Sequence, residues 1–197
     1  MSCASLAQCP RDGRRELAFA GRSNSGKSSA LNALCGQKAL ARVSKTPGRT
    51  QLINLFDLPD EARLVDLPGY GFAQVPLEVR RDWARMVGQY VEQRSSLQGL
   101  VLIMDCRHPL TDHDTQMLAW IKSGQRPCHV LLTKADKLGF GAGKNTLLKV
   151  RRDIGQMGIE VGIQLFSANS GLGVEEAREA LRKLLNPSMP DVSLENG

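Results

Sequence analysis

"GRSNSGKSSALN", residues 21–32, follows the apolar run "ELAFA" (16–20) and leads into the helix-like "SALNAL" (29–34). It fits G-x-x-x-x-G-K-[ST], the pattern of a phosphate-binding loop. Glycines at both ends let successive backbone N–H groups converge on phosphate oxygens, and the helix that follows adds the positive end of its dipole. Gly21, Arg22, Ser23, Asn24, Ser25, Gly26 and Ser29 are the candidate cradle; Lys27 bridges the β- and γ-phosphates, and Ser28 supplies a hydroxyl to Mg²⁺. A loop of this kind sits between a strand and a helix, so the stretch also predicts an α/β fold.

The rest of the chain agrees with that fold. Six strand-like runs are legible, "LAFA" (17–20), "QLINLFDL" (51–58), "ARLVDL" (62–67), "GLVLIMD" (99–105), "CHVLLT" (128–133) and "IQLFSA" (163–168). Helical spacing fills the intervals at 27–35, 76–94, 111–123, 144–157 and 174–185, with Pro76 and Thr111 placed as start signals. Alternation of this kind predicts a mostly parallel sheet with helices on both faces. The second and third strands are joined only by "PDEA", too short for a parallel crossover, which predicts one antiparallel edge strand. The expected organisation is a lead-in over 1–15, one nucleotide-binding domain over 16–186 and a flexible tail over 187–197.

Composition narrows the class. A chain of 197 residues suits one domain. Its five cysteines include no C-x-x-C pair and read as reduced thiols. No apolar run approaches the roughly 20 residues of a membrane helix, and the N-terminus lacks a signal-peptide core. A cytoplasmic monomer with no membrane partner is expected. The net charge of +6 favours a polyanionic partner such as RNA.

Three further segments define the ligand. "VDLPG" places Asp66, Leu67, Pro68 and Gly69 at the end of the third strand, with Asp66 where a carboxylate holds Mg²⁺ through water and Gly69 able to offer its N–H to the γ-phosphate. "LLTKAD" places Thr133, Lys134, Ala135 and Asp136 at a strand end, where ligands bind in open α/β sheets. A carboxylate at Asp136 accepts from both N1–H and the 2-amino group of guanine, whereas adenine offers neither, so GTP and GDP are the expected nucleotides. In "FSAN", Phe166, Ser167 and Ala168 stand at the end of the last strand; Ala168 can offer its N–H to guanine O6, although a helix cap at Ser167 or Asn169 is the simpler reading of this segment alone. Within "VSKTPGRTQLIN", Gly48, Arg49, Thr50, Gln51 and Leu52 are candidate contacts. Thr50 is expected to complete the Mg²⁺ shell when the γ-phosphate is present, with Thr46 as the alternative.

The motifs "GRSNSGKS", "TPGRTQLIN", "DLPGYGFA", "TKAD" and "FSA", in this order, resemble the EngB (YihA/YsxC) family of bacterial GTP-binding proteins, within the TrmE-Era-EngA-EngB-septin-like GTPases. The resemblance covers about residues 16–186, and "DCRHPLTDHD" belongs to it as well. It implies a Ras-like G domain acting as a GTPase switch in large ribosomal subunit assembly. It also implies a requirement for normal cell division and septation, and rRNA and ribosomal proteins of the subunit precursor as partners. Lys27, Asn24, Thr50 and Gly69 are the catalytic candidates. Thr133 stands where the general pattern has asparagine, removing an amide that would brace the loop and the base, which implies modest guanine affinity. Tyr70 stands where Ras-like enzymes carry a glutamine that orients water, which implies slow intrinsic hydrolysis. Asn24 occupies the position at which several related GTPases help to hold K⁺ beside the phosphates; the alternative is that it tolerates the loop's backbone conformation. A small P-loop kinase is the competing function, and "TKAD" and "FSAN" argue against it. Basic residues near 80–94, at Arg107 and in "KVRRD" are three candidate RNA-facing surfaces, with solvated helix faces as the alternative and the commoner case for any single charge run.

Overall fold

The apolar runs that read as strands are buried along almost their whole length, as strands covered on both faces must be. The computed structural model describes residues 1–37, 52–69 and 77–186. Its strands are β1 (Ser2–Cys3), β2 (Arg15–Gly21), β3 (Ile53–Leu58), β4 (Ala62–Asp66), β5 (Leu97–Asp105), β6 (Cys128–Thr133) and β7 (Gly162–Leu165). Its helices are α1 (Lys27–Cys35), α2 (Leu77–Gln93), α3 (Asp112–Ser123), α4 (Phe140–Gln156) and α5 (Val174–Leu185). The sheet order is β1-β3-β4-β2-β5-β6-β7. Strands β4, β2, β5, β6 and β7 run parallel, and β3 opposes β4.

The described residues hold seven strands rather than six. The extra strand, β1, adds two antiparallel pairs to the outer side of β3, Ser2 with Asn54 and Cys3 with Ile53. The Met1 ammonium donates to the Leu55 carbonyl at 3.0 Å and the Leu55 N–H to the Met1 carbonyl at 2.8 Å. The reversed strand is therefore not at the edge. Two residues cannot display the alternation by which a strand is read, so the pairing had no sequence signature. Cys3 and Cys9 are nonetheless buried and join the core.

One apolar layer packs Val87, Tyr90, Met117, Leu118, Val150 and Ile154 of α2, α3 and α4 against the sheet. The other packs Leu31 of α1 and Ala177 and Leu181 of α5 against Leu17, Phe19 and Val101. At the end where the parallel strands begin, Glu16 is completely buried. It accepts from Tyr90 Oη at 2.5 Å and from Arg94 Nε and Nη2 at 2.8 and 2.5 Å. Arg63 lies 3.5 Å from Glu16 and pairs outward with Asp12 at 2.8 Å and Asp57 at 2.6 Å. The network ties the lead-in, β2, β3, β4 and the end of α2 together, leaving the opposite end of the sheet to the functional loops.

Candidate functional site

All the functional loops that are described leave the C-terminal ends of parallel strands. At the end of β2 a Cβ on Gly21 would stand 2.8 Å from the Ile103 carbonyl oxygen and 2.7 Å from Ser25 Oγ, so the close approach of loop and β5 requires glycine. Gly26 caps α1 at φ 97°, a left-handed conformation. Asn24 also has a positive φ, 63°, which asparagine accepts better than most residues. Arg22, Ser23 and Ser28 are half-buried, Ser25 is buried and Ser29 is exposed.

Next to this loop the Lys27 ammonium donates to the Asp66 carboxylate, and both side chains are nearly buried. The Leu67 N–H donates to the Phe19 carbonyl at 3.0 Å, pinning the end of β4 to β2, with the Leu67 side chain in the core. After Pro68, a Cβ on Gly69 would lie 3.8 Å from the Gly21 carbonyl oxygen and the Ser23 backbone, so Gly69 adjoins the cradle. The Ser28 hydroxyl and Asp66 carboxylate are hard oxygen donors of the kind Mg²⁺ takes, so the residues fit that ion. Among the described residues no three His, Cys, Asp or Glu side chains cluster about a metal position.

The base end is built from β6, β7 and the turns that follow them. The Thr133 hydroxyl, which lies 3.0 Å from the Met104 carbonyl, donates to the Ser25 carbonyl of the loop. The asparagine amide of the general pattern is absent, but the Thr133 hydroxyl at this strand end reaches the P-loop in its place. The Asp136 carboxylate accepts from Ser167 Oγ at 2.7 Å, while Ser170 N–H donates to that same hydroxyl at 3.2 Å. The Ser167 bond, helped by the Lys137 ammonium, holds the Asp136 carboxyl below its ordinary range. Ser167 thus orients the carboxylate. Phe166 is wholly buried, and its contribution is its backbone, whose carbonyl accepts from the Ala135 N–H at 3.1 Å.

Lys134 has φ 59°, and its ammonium donates to the Asn24 carbonyl at 2.5 Å and pairs with Asp105 at 2.9 Å. Asp105 also accepts from the Arg107 N–H and Nε, at 3.1 and 2.9 Å, and from its Nη2 at 2.7 Å. Burial pushes the Asp105 carboxyl up, but Arg107 and Lys134 outweigh it and the group lies well below the carboxylate range. Sequence reasoning missed Asp105. The signal was "DCRHPL", whose aspartate ends a strand beside the one carrying "TKAD".

A cavity of about 720 Å³ joins these groups, lined by Gly26, Ser29, Thr133, Lys134, Asp136 and Ala168 among others. Its size suits a nucleoside. Leu52 precedes β3, and Gly48, Arg49, Thr50, Gln51, Tyr70 and the alternative Thr46 lie outside the described residues.

A family model described as "50S ribosome-binding GTPase" matches residues 16–134. A probable GTP-binding protein EngB from Vibrio parahaemolyticus serotype O3:K6 (strain RIMD 2210633) is 51% identical over 188 residues, covering 95% of this chain and 86% of that one. This chain belongs to the EngB family of GTP-binding proteins. The fold is shared with the crystal structure of a probable GTP-binding protein engB, at TM-score 0.70 and 21% identity, over 87% of this chain and 99% of that one. It is also shared with Era in complex with MgGDPNP and a segment of 16S ribosomal RNA, at TM-score 0.66 and 22% identity, over 89% and 58%. EngB membership makes the protein a GTP-binding member of the GTPases, and the kinase reading is not favoured. No described helix is long and apolar enough to cross a membrane.

Proposed function

We propose that this EngB-family protein is a cytoplasmic, monomeric GTPase switch whose target is the precursor of the large ribosomal subunit. A requirement in cell division and septation follows from the same family resemblance. The observation that carries the nucleotide assignment is the Asp136 carboxylate, oriented by Ser167 at 2.7 Å beside the cavity that runs back to Gly26. In this reading Gly21–Ser29 cradle the phosphates, Lys27 neutralises them, and Ser28 and Thr50 hold Mg²⁺, which would supply charge neutralisation at the phosphate oxygens. Gly69 offers its N–H to the γ-phosphate, and Asp136 reads the guanine edge over the Lys134 stem. Residues 16–186 would form the G domain, with 1–15 as lead-in and 187–197 as tail. The family description as ribosome-binding and the net charge of +6 support the ribosomal partner.

Co-sedimentation with large-subunit precursors in GDP and in a non-hydrolysable GTP analogue tests the switch: one state should bind and the other release. Equal sedimentation in both, or in neither, would overturn it. Potassium beside the phosphates is the second part of the reading, with Asn24 as its contact. The φ of 63° at Asn24 suits its purely conformational role as well. Hydrolysis that rises when potassium replaces sodium at constant ionic strength, and loses that rise in Asn24→Ala, would select the ion; identical rates would select the backbone role.

A further inference from the structure

The exposed face of α4 carries two features that neither the core nor the nucleotide site uses. Four large apolar residues stand exposed among the described residues, Met1, Phe140, Leu148 and Leu172, and two of them are on this one helix. Phe140 is 90% exposed at its first turn and Leu148 is 50% exposed two turns on. Lys144 lies between them at i+4 spacing, and Arg151 and Arg152 follow Leu148 at i+3 and i+4, so the five side chains share one side of the helix. The opposite side, with Gly143, Val150 and Ile154, is buried.

Charge separates this face from the other helices. Helix α4 contains Lys144, Lys149, Arg151 and Arg152 against Asp153 alone, whereas α2 and α5 each balance three basic residues with three acidic ones and α3 has more acid than base. Arg152 pairs with Asp153 at 3.0 Å, but Lys144 and Lys149 form no ion pair among the described residues. The other candidate basic surfaces are weaker. The Arg107 guanidinium is held by Asp105, and Arg94 is buried against Glu16.

We infer that the exposed α4 face is a single-stranded RNA contact, with Phe140 as a stacking platform for an unpaired base and Lys144 and Arg151 on the flanking phosphates. An aromatic ring costs free energy to leave in water, and base stacking recovers it without demanding a particular sequence. Cations around the ring favour a polyanion over an apolar or acidic-poor protein surface. The inference rests on the ribosomal reading above for its biological partner and goes further by fixing the surface and the chemistry that docks.

The test uses the full chain with two probes, a mixed-sequence single-stranded RNA oligonucleotide and large-subunit precursor particles. Phe140→Ala should weaken oligonucleotide binding about tenfold, with recovery in Phe140→Trp and with GDP affinity unchanged. Lys144→Ala and Arg151→Ala should each lower the slope of log affinity against log salt by about 0.7. Wild-type affinity for the oligonucleotide in Phe140→Ala would overturn the inference. So would weakened particle binding with unaltered salt slopes, which would mark a protein contact. If the oligonucleotide results hold but the wild-type chain fails to sediment with particles, the α4 contact stands and the ribosomal reading falls.

Discussion

Lys134 is held at two points, by the Asp105 carboxylate at 2.9 Å and the Asn24 carbonyl at 2.5 Å, and this decides what single substitutions at the base site should do. If Asp105 acts only by placing the lysine stem, Asp105→Asn should raise the Kd for GDP and GTP alike, by roughly tenfold, and should cost nothing further in a Lys134→Ala background. Additive losses in that double-mutant cycle on GDP affinity would show that Asp105 acts elsewhere. At Asp136 the expected change is one of identity: Asp136→Asn should weaken GTP and favour xanthosine triphosphate, whose 2-oxo group accepts from the new amide. Undiminished GTP affinity would remove the guanine assignment. These residues differed in how legible they were. Asp136 and Lys27 could be read from spacing because their chemistry requires those residue types. Asp105 and the Thr133 brace could not, because their roles depend on which strand ends lie side by side, and that adjacency exists only in the folded sheet.

Helix α4 shows how packing extends an element beyond its sequence pattern. Periodicity places its start at Lys144, whereas it begins at Phe140, through "FGAG", which on propensity alone should not be helical. The buried Gly143 accounts for the difference in part: it lets the first turn close onto β7, with a Cβ there reaching Leu165 Cδ1 at 3.3 Å. Gly141 makes no such contact, having nothing within 4 Å of its Cβ position and a φ outside the left-handed range. Gly141→Ala should therefore stabilise the protein by about 0.5 kcal/mol through the unfolded chain, while Gly143→Ala should gain less or lose stability. Chemical denaturation of the two variants compares them, and an equal gain in both would mean that the approach to β7 does not constrain the helix. The same logic applies to β1, which pairs along the edge that β3 leaves free.

Across the whole molecule the sheet separates two kinds of chemistry. The described phosphate and base groups stand at the C-terminal ends of the parallel strands, while the Glu16 network closes the other end of β2. Glu16 and Gly21 are five strand steps apart, about 16 Å at 3.3 Å per residue. Burial by itself pushes the Glu16 carboxyl up, but hydrogen bonds from Arg94 and Tyr90 outweigh it, so the folded-state pKa lies below the unfolded one. Its stabilisation is then fully present above the unfolded-state value and is lost as pH falls through the folded-state value. Glu16→Gln leaves Arg94 buried without its anion and should cost about 3 kcal/mol near neutral pH, while flattening the acid side of the stability profile. Because sites this far apart contribute independently, the rise in Tm on adding saturating GDP should be the same in Glu16→Gln as in the wild type, after its lower starting point is allowed for. Lys27→Ala should do the opposite, removing the GDP-induced rise. A Glu16→Gln protein that folds but no longer gains stability from GDP would mean that the buried network shapes the phosphate loop, and that the two ends of the sheet are one site.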